Sequence, residues 1–380
     1  MRKVYLDNAA TTQVFEEVIT EMSTSLRVNY GNPSSTHQFG RTAKSAIEKA
    51  RKNIASKLAI SSSELIFTSG GTEANNLILR NAVVHLKVTQ IITTKIEHHA
   101  VLKTVEELQK DFPVQIKYVE TDDRGFVDYV HLRSLLSDIT QKSLVSLMFV
   151  NNEVGTIQDV KKIAIICKEY TALFHSDAVQ AIGHFQVDLN DLGIDFISAS
   201  AHKFHGPKGV GFAYFKKGFG VKPMLLGGEQ EKGARAGTEA VHAILGMDKA
   251  LAISLENINQ DIQEIKFIKK LCIDLLKKEL PEIMFNGGSE NLKDATVTIL
   301  SIRLPKEYAF LLFNLDLKGI AVSGGSACQS GSNKGSHVLE SLLPLQEALK
   351  TSLRISFSKY TTEDDIVYFI STLKKVLEKK

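Results

Sequence analysis

The chain has 380 residues, 43% of them hydrophobic and 23% charged, and 46 basic side chains against 43 acidic ones leave a formal charge of +3. That length allows a large core and about two domains, while the near balance of charge, with no basic stripe interleaved with aromatics, excludes a nucleic-acid footprint. No apolar run approaches the ~18 residues of a membrane span, and "MRKVYLDNAATT" reaches Asp7 too soon for a signal peptide, so the cytoplasm is the expected compartment.

From about residue 64 onward, strand-like and helix-like patterns alternate. The strand-like runs are "ELIFTS", "QIITTKI", "VQIKYVE", "SLVSLMFV", "LFHSDA", "DFISAS" and "VGFAYFK". Helical periodicity follows several of them, in "TEANNLILRNAVVH", "HHAVLKTVEELQKD" and "DVKKIAIICKEYTA". This alternation predicts an α/β fold, a mainly parallel sheet between helices on both faces. After Gly237 the pattern changes to a long helical stretch over about residues 240–280. Strands "TVTILSIR" and "GIAVSGG" follow, then a terminal helix after "TTEDD". These elements read as a smaller α+β domain. The expected division is a large domain over 14–254 and a small one formed by 1–13 and 255–380, without a low-complexity linker.

Three cysteines, an odd number, argue against a disulfide framework. Cys167 in "VKKIAIICKEY" and Cys272 in "FIKKLCIDLLKKEL" fall on apolar helix faces and are expected to be small buried hydrophobes. Cys328 differs. It lies in "SGGSACQSGSNKGS", a stretch of mostly Gly and Ser that cannot bury a thiol by local packing, so an exposed, mobile thiol is expected.

Several motifs sit where strands end, which is where α/β sheets present ligand-binding groups. "SAHKFHGPKG" places Lys203 just past the run "IDFISAS"; Lys208, between Pro207 and Gly209, has the turn chemistry of a solvated surface lysine. "FTSGGTEANN" puts two glycines and Thr72 at the start of a helix. It suits a phosphate against Gly71 and Thr72, or equally an ordinary helix start capped by Thr72. No Walker A loop is present, because the nearest glycine spacing, Gly206 to Gly211, is followed by Phe212. "FHSDAVQ" brings Asp177 to a strand end with Gln180 three residues on: a paired charge, a helix cap, or the partner of a protonated ring nitrogen. "IEHHA" offers His98 and His99, of which at most one is expected to face a site. "FVNNEVG" offers Asn151 and Asn152, and "LRISFS" offers Arg354 as a fork for a carboxylate. Each motif is weak alone. A phosphate cradle, a carboxylate, a histidine and a lysine together suit pyridoxal phosphate.

With these motifs assembled, the chain resembles the cysteine desulfurases of the NifS/IscS type, in the class V aminotransferase group of fold-type I pyridoxal-phosphate enzymes. The resemblance is carried by "YLDNAATT", "GNPSSTHQFGR", "TSGGTEANN", "EHHAVL", "VNNEVG", "HSDAVQ", "SAHKFHGPKG", "RAGTEA" and "GSAC", in the family's order. It implies a homodimer that converts L-cysteine to L-alanine and passes sulfur, as an enzyme persulfide, to an acceptor protein. That acceptor would be an iron–sulfur scaffold or a tRNA-thiolation enzyme. Carried over by position, Lys203 matches the Schiff-base lysine, Asp177 the partner of the pyridine nitrogen, and His98 the histidine stacked on the ring. Gly71, Thr72, Ser200 and His202 match phosphate contacts, and Thr238 matches one reaching in from the other subunit. Gln180 matches the contact to the ring hydroxyl, Asn152 and Arg354 the holders of the substrate carboxylate, and Cys328 the sulfur acceptor. No metal site is implied beyond a transient contact of Cys328 with a nascent iron–sulfur species.

The resemblance leaves three other expectations open: a selenocysteine lyase, an aminotransferase on the same fold, or a catalytically silent binding partner. A transaminase needs no thiol, and a silent relative has no reason to keep Lys203, Asp177 and Cys328 together. The chain also departs from the family pattern. Glu229 stands where a third glycine is usual, and "CQSGSNKGSH" alters the residues after the cysteine. The sequence stops at Lys380, without the longer tail that docks a cluster scaffold in some members. These departures bear on partner choice rather than on carbon chemistry.

Overall fold

Runs of four or five apolar residues can be buried on both faces only if helices cover both sides of the sheet they form. The computed structural model, which describes residues 2–324 and 335–378, shows that arrangement. After the short β1 (Val4–Tyr5) come β2 (Leu65–Thr68), β3 (Gln90–Thr93), β4 (Gln115–Tyr118) and β5 (Ser143–Ser146). They are followed by β6 (Leu173–Asp177), β7 (Phe196–Ser200) and β8 (Gly211–Phe215). Strands β2 to β8 form a seven-stranded sheet in the order β2-β8-β7-β6-β5-β3-β4. From β4 to β7 the pairings are parallel; β8 runs antiparallel to both β7 and β2.

Side chains alternate across this sheet with the two-residue period of a strand. Ile92, Val145, Ile197 and Phe212 join one core with Ile47, Ile54 and Met247, from the helices Gln38–Lys57 and Val241–Glu256. Their neighbours Ile91, Leu144, Phe196 and Ala213 join the opposite core with Leu77, Ile78, Val101 and Val105, from the helices Gly71–Val84 and His99–Asp111. The predicted mainly parallel sheet between helices is therefore present.

A separate core lies beyond. Strands β9 (Met284–Phe285), β10 (Ile299–Arg303) and β12 (Ser352–Ser356) form an antiparallel sheet in the order β12-β10-β9. Between them in the chain, β11 (Ile320–Ala321) pairs in parallel with β1. Val4 and Leu6 pack there with Ile268, Cys272, Leu300, Ile355 and Phe369. The helical stretch expected over 240–280 is in fact two helices, Val241–Glu256 and Ile258–Glu279. Asn257, with φ −119° and ψ 29°, breaks it because the two helices present their apolar faces to different cores.

Cys167 and Cys272 are buried, and desolvation pushes both thiols well above the usual range. No helix of the described residues is long and apolar enough to cross a membrane.

Candidate active site

The parallel strands deliver their C-terminal ends to one cavity of about 570 Å3. Gly71, Thr72, His98, Asn152, Asp177, Gln180, Ser200, His202, Lys203 and Arg354 all line it. Thr238 does not; it is exposed, outside this cavity. Cys328 lies outside the described residues.

Each side chain is held by an identifiable local cause. Strand β7 ends at Ser200, and the single 3-10 turn Ala201–Lys203 lifts Lys203 into the cavity. There Nζ donates to the carbonyls of Ala9 and Ala10, at 2.6 and 2.9 Å. The lysine's own carbonyl accepts from His184 Nε2 at 2.9 Å. His205, two residues on, takes a left-handed φ of 64°. Thr12 Oγ1 accepts its N–H at 2.7 Å and the Gln13 carbonyl accepts its ring Nδ1–H at 2.7 Å, fixing an otherwise costly backbone.

Asp177, at the end of β6, is only 5% exposed. Its Oδ2 accepts from Asn75 Nδ2 at 2.7 Å and its Oδ1 from the Val179 N–H at 3.0 Å. Asn75 was not singled out by sequence, although "TSGGTEANN" places it one helical turn after Gly71, on the helix side facing the sheet. Gln180 Nε2 donates to Ala9 O at 3.0 Å, so the segment after β1 braces both Gln180 and Lys203.

His98 precedes the helix His99–Asp111, and its Nδ1 accepts the Ala100 N–H at 3.0 Å. That assigns the proton of the neutral ring to Nε2. Burial, outweighing the opposing pull of Asp177, lowers its pKa, with Lys203 nearby adding to the fall. His202 is held down to about 4, chiefly by burial and then by Lys203 and Lys208. Both imidazoles are therefore neutral at neutral pH.

Two sequence expectations need correction. His99 also lines the cavity, although adjacent side chains were expected to diverge. As the first residue of the helix it turns towards the His337 ring, with centroids 4.3 Å apart. Thr72 is not the helix cap: Gly70 is, at φ 148°, and the helix starts at Gly71. A Cβ on Gly71 would approach Val179 Cγ2 to 2.6 Å, so only glycine fits there. Lys208 is exposed as expected, yet it stands at the rim of the same cavity.

Sequence reading also missed three carboxylates. Glu97 is fully buried; burial pushes its pKa up to about 8, although Oε1 accepts from Met148 N and Thr94 Oγ1. Glu153 is buried as well and its pKa is raised by desolvation, while Oε2 accepts from Ser336 Oγ. Asp7 pairs with Arg354, Nη2 to Oδ1 at 3.0 Å.

These features fit pyridoxal phosphate. The close approach at Gly70 and Gly71 leaves the unpaired N–H groups of a helix start at the cavity lip, beside the Ser200 hydroxyl. Deeper in, the Asp177 carboxylate is pre-oriented to hold a protonated ring nitrogen, and a lysine amine stands by. This donor set suits a phosphate, a basic heterocycle and an aldehyde.

Comparison with known proteins agrees. The family model for class-V aminotransferases matches residues 4–369. The chain is 41% identical over its whole length to the cysteine desulfurase IscS of Dictyoglomus turgidum, covering 95% of that protein. It is 40% identical over 96% of its length to a putative cysteine desulfurase IscS 1 of Bacillus subtilis, covering 96% of it. A solved NifS-like protein superposes with a TM-score of 0.91 at 36% identity, over 99% of each chain. A NifS-like protein from Rickettsia africae gives 0.88 at 34% identity, over 99% of this chain and all of that one. A sheet that gathers a lysine, a braced carboxylate and a glycine-lined helix start at its C-terminal edge, in a chain this similar along its length, belongs to the cysteine desulfurases of the class-V aminotransferase family, which are pyridoxal-phosphate-dependent enzymes.

Proposed function

We propose that this enzyme converts L-cysteine to L-alanine with Lys203, His98 and Cys328 as its catalytic residues, and that it supplies sulfur for iron–sulfur clusters or thiolated tRNA. The observation that carries this reading is the convergence of Lys203, Asp177, His98, Gln180 and Arg354 on a single cavity. Bound pyridoxal phosphate supplies an electron sink that makes the substrate Cα proton acidic and the Cβ–S bond labile. The helix start at Gly71 and Thr72, with Ser200 and His202, would hold its phosphate. Asp177 would pair with its ring nitrogen, and Gln180 would face its ring hydroxyl.

Arg354 and Asn152 take the substrate carboxylate. Lys203 Nζ removes the Cα proton and later returns one. His98, neutral with its proton on Nε2, gives that proton where charge leaves the substrate. Cys328, as thiolate, attacks the substrate sulfur; a new S–S bond forms as the Cβ–S bond breaks, leaving a persulfide on the enzyme. A free thiol with a pKa near 8.5 is only a few per cent thiolate at pH 7, so the site must assist its deprotonation. We further infer a cytoplasmic homodimer in which Thr238 of each chain contacts the other chain's phosphate; its exposure outside its own cavity supports this.

Loaded enzyme given L-cysteine and a thiol reductant should release alanine and sulfide in equal amounts. Accumulation of pyruvate, or of the amine form of the cofactor, would replace this reading with another reaction on the fold. Cys328→Ser should lose persulfide formation and keep the yellow cofactor band. Borohydride reduction and peptide mapping should place the cofactor on Lys203; an unmodified Lys203 would remove its role.

A further inference from the structure

Arg354 is already engaged before any substrate arrives. Its Nη2 donates to Asp7 Oδ1 at 3.0 Å and its Nη1 to the Asn152 carbonyl at 2.9 Å. Nε is buried with no hydrogen-bond partner among the described residues. The guanidinium carries five N–H donors, so after these two contacts it still offers donors for a bidentate carboxylate. Its side chain is only 3% exposed, and water screens its charge weakly there.

Asp7 is fixed in turn from the other side. Ser323 Oγ donates to the same Oδ1 at 2.6 Å, and Ser323 and Arg354 exchange backbone hydrogen bonds at 3.2 and 2.7 Å. Asp7 itself bridges to Ser356, on the strand that carries Arg354. One carboxylate oxygen therefore receives both the guanidinium and the hydroxyl, and backbone pairing holds all three groups in register.

The charges have a consequence for ligands. Asp7 already opposes the charge of Arg354, so a ligand carboxylate docking on this guanidinium meets a neutralised pair rather than a free cation. Without Asp7, the same carboxylate would meet a guanidinium with no carboxylate in direct contact, Glu153 acting on it only at longer range. Substrate and product amino acids carry the same carboxylate, so a site that gripped it fully would also retain product.

We propose that Asp7 is a positioning residue that orients the Arg354 guanidinium and restrains its affinity for the amino-acid carboxylate, favouring product release. The inference rests on Arg354 taking that carboxylate. Titrations of the cofactor's visible band with L-alanine and with L-alaninamide, which lacks the carboxylate, test it in the loaded enzyme.

Wild type should bind alanine at least tenfold more tightly than alaninamide; equal affinities would remove the role of Arg354 and this inference with it. In Asp7→Asn, alanine should bind at least threefold more tightly while alaninamide stays within twofold of wild type. Asp7→Glu, which keeps the charge, should stay within twofold for both ligands. If Asp7→Asn weakens alanine, leaves it unchanged, or shifts both ligands by the same factor, Asp7 is only a structural partner. Where Asp7→Asn fails to hold cofactor, Asp7→Glu decides: alanine tightened as a charge loss would tighten it, or both ligands shifted equally, overturns the proposal.

Discussion

Replacing Glu231 by Ala would break the most completely buried ion pair among the described residues. Arg51 Nη1 and Nη2 donate to Glu231 Oε2 and Oε1, each at 2.7 Å, with side chains 5% and 3% exposed. The Phe67 N–H donates to the same carboxylate at 2.9 Å, and the guanidinium lies 4.4 Å from the Phe67 ring centroid. Opposite charges about 4 Å apart attract by roughly 4 kcal/mol at an effective dielectric of about 20. Removing Glu231 leaves buried Arg51 with only the half-exposed Glu48 carboxylate, 3.1 Å from Nε, and the Leu65 carbonyl. Breaking a buried pair typically costs about 3–5 kcal/mol, and the remaining partners put this one at the lower end. The orphaned Phe67 N–H belongs to the same loss rather than adding to it in full.

Glu231→Ala should therefore lose about 3 kcal/mol of stability and roughly 4 °C in Tm. The chain contains no tryptophan, so the transition is best followed by far-ultraviolet circular dichroism in urea. Replacing both Arg51 and Glu231 by Met should recover most of the loss, because apolar packing replaces a buried pair at little cost. A single variant within about 1 kcal/mol of wild type would refute the reasoning, and so would a double variant worse than the single one.

Three further outcomes follow from other buried groups. Asn75→Ala removes a 2.7 Å hydrogen bond to a charged carboxylate, worth about 1.5–3 kcal/mol; spectral titration should show cofactor affinity roughly ten- to a hundredfold weaker, and unchanged affinity would deny Asn75 its bracing role. Glu97 keeps its proton up to about pH 8 when folded but loses it near its ordinary 4.5 when unfolded, so the native state loses stability as pH rises through that window. The advantage of Glu97→Gln over wild type in urea midpoints should grow with pH between those values and then level off; a flat difference would show that Glu97 ionises normally. Lys269, 0% exposed, is lowered by burial to about 7 while Nζ donates to Thr296 O at 2.7 Å. The unfolded chain binds that proton already near 10.5, so wild type loses stability as pH falls from 10.5 to 7, and Lys269→Met should gain on it over that range alone.

The sheet was legible because most of its strands are buried on both faces and read as short, mainly apolar runs, several with a helical pattern beside them, while edge strand β4 is partly exposed. The strand-end residues were legible for the same reason: a motif just past such a run must lie at one edge of the sheet. What escaped was long-range or conformational. Asp7 stands in the quoted "YLDNAATT", but its partner Arg354 is 347 residues away, and no local signal announces a pairing made through an isolated bridge to β12. Glu97 and Glu153 each sit beside a residue that was singled out, yet nothing in composition tells a buried carboxylate from a solvated one. The break at Asn257 left no mark in the periodicity because both flanking segments are helical; only the existence of two cores requires it.

The segment after β1 explains why the site needs both cores. Val4 and Leu6 are packed into the second core, while the carbonyls of Ala9 and Ala10 hold Lys203 and Gln180 at the edge of the large sheet. Thr12 continues the connection: its N–H and Oγ1 both donate to the His202 carbonyl, and Thr12 Oγ1 in turn accepts the His205 N–H. Backbone carbonyls suit this task. They hold an amine by hydrogen bonds without adding a charge that would fix its protonation state, whereas a carboxylate in their place would stabilise the ammonium and oppose its use as a base. The lysine is thus oriented by one core's terminal strand and aimed by the other core's sheet. The carbonyls of Ala9 and Ala10 follow a strand packed in the second core, so the position of Lys203 Nζ depends on contacts from both cores.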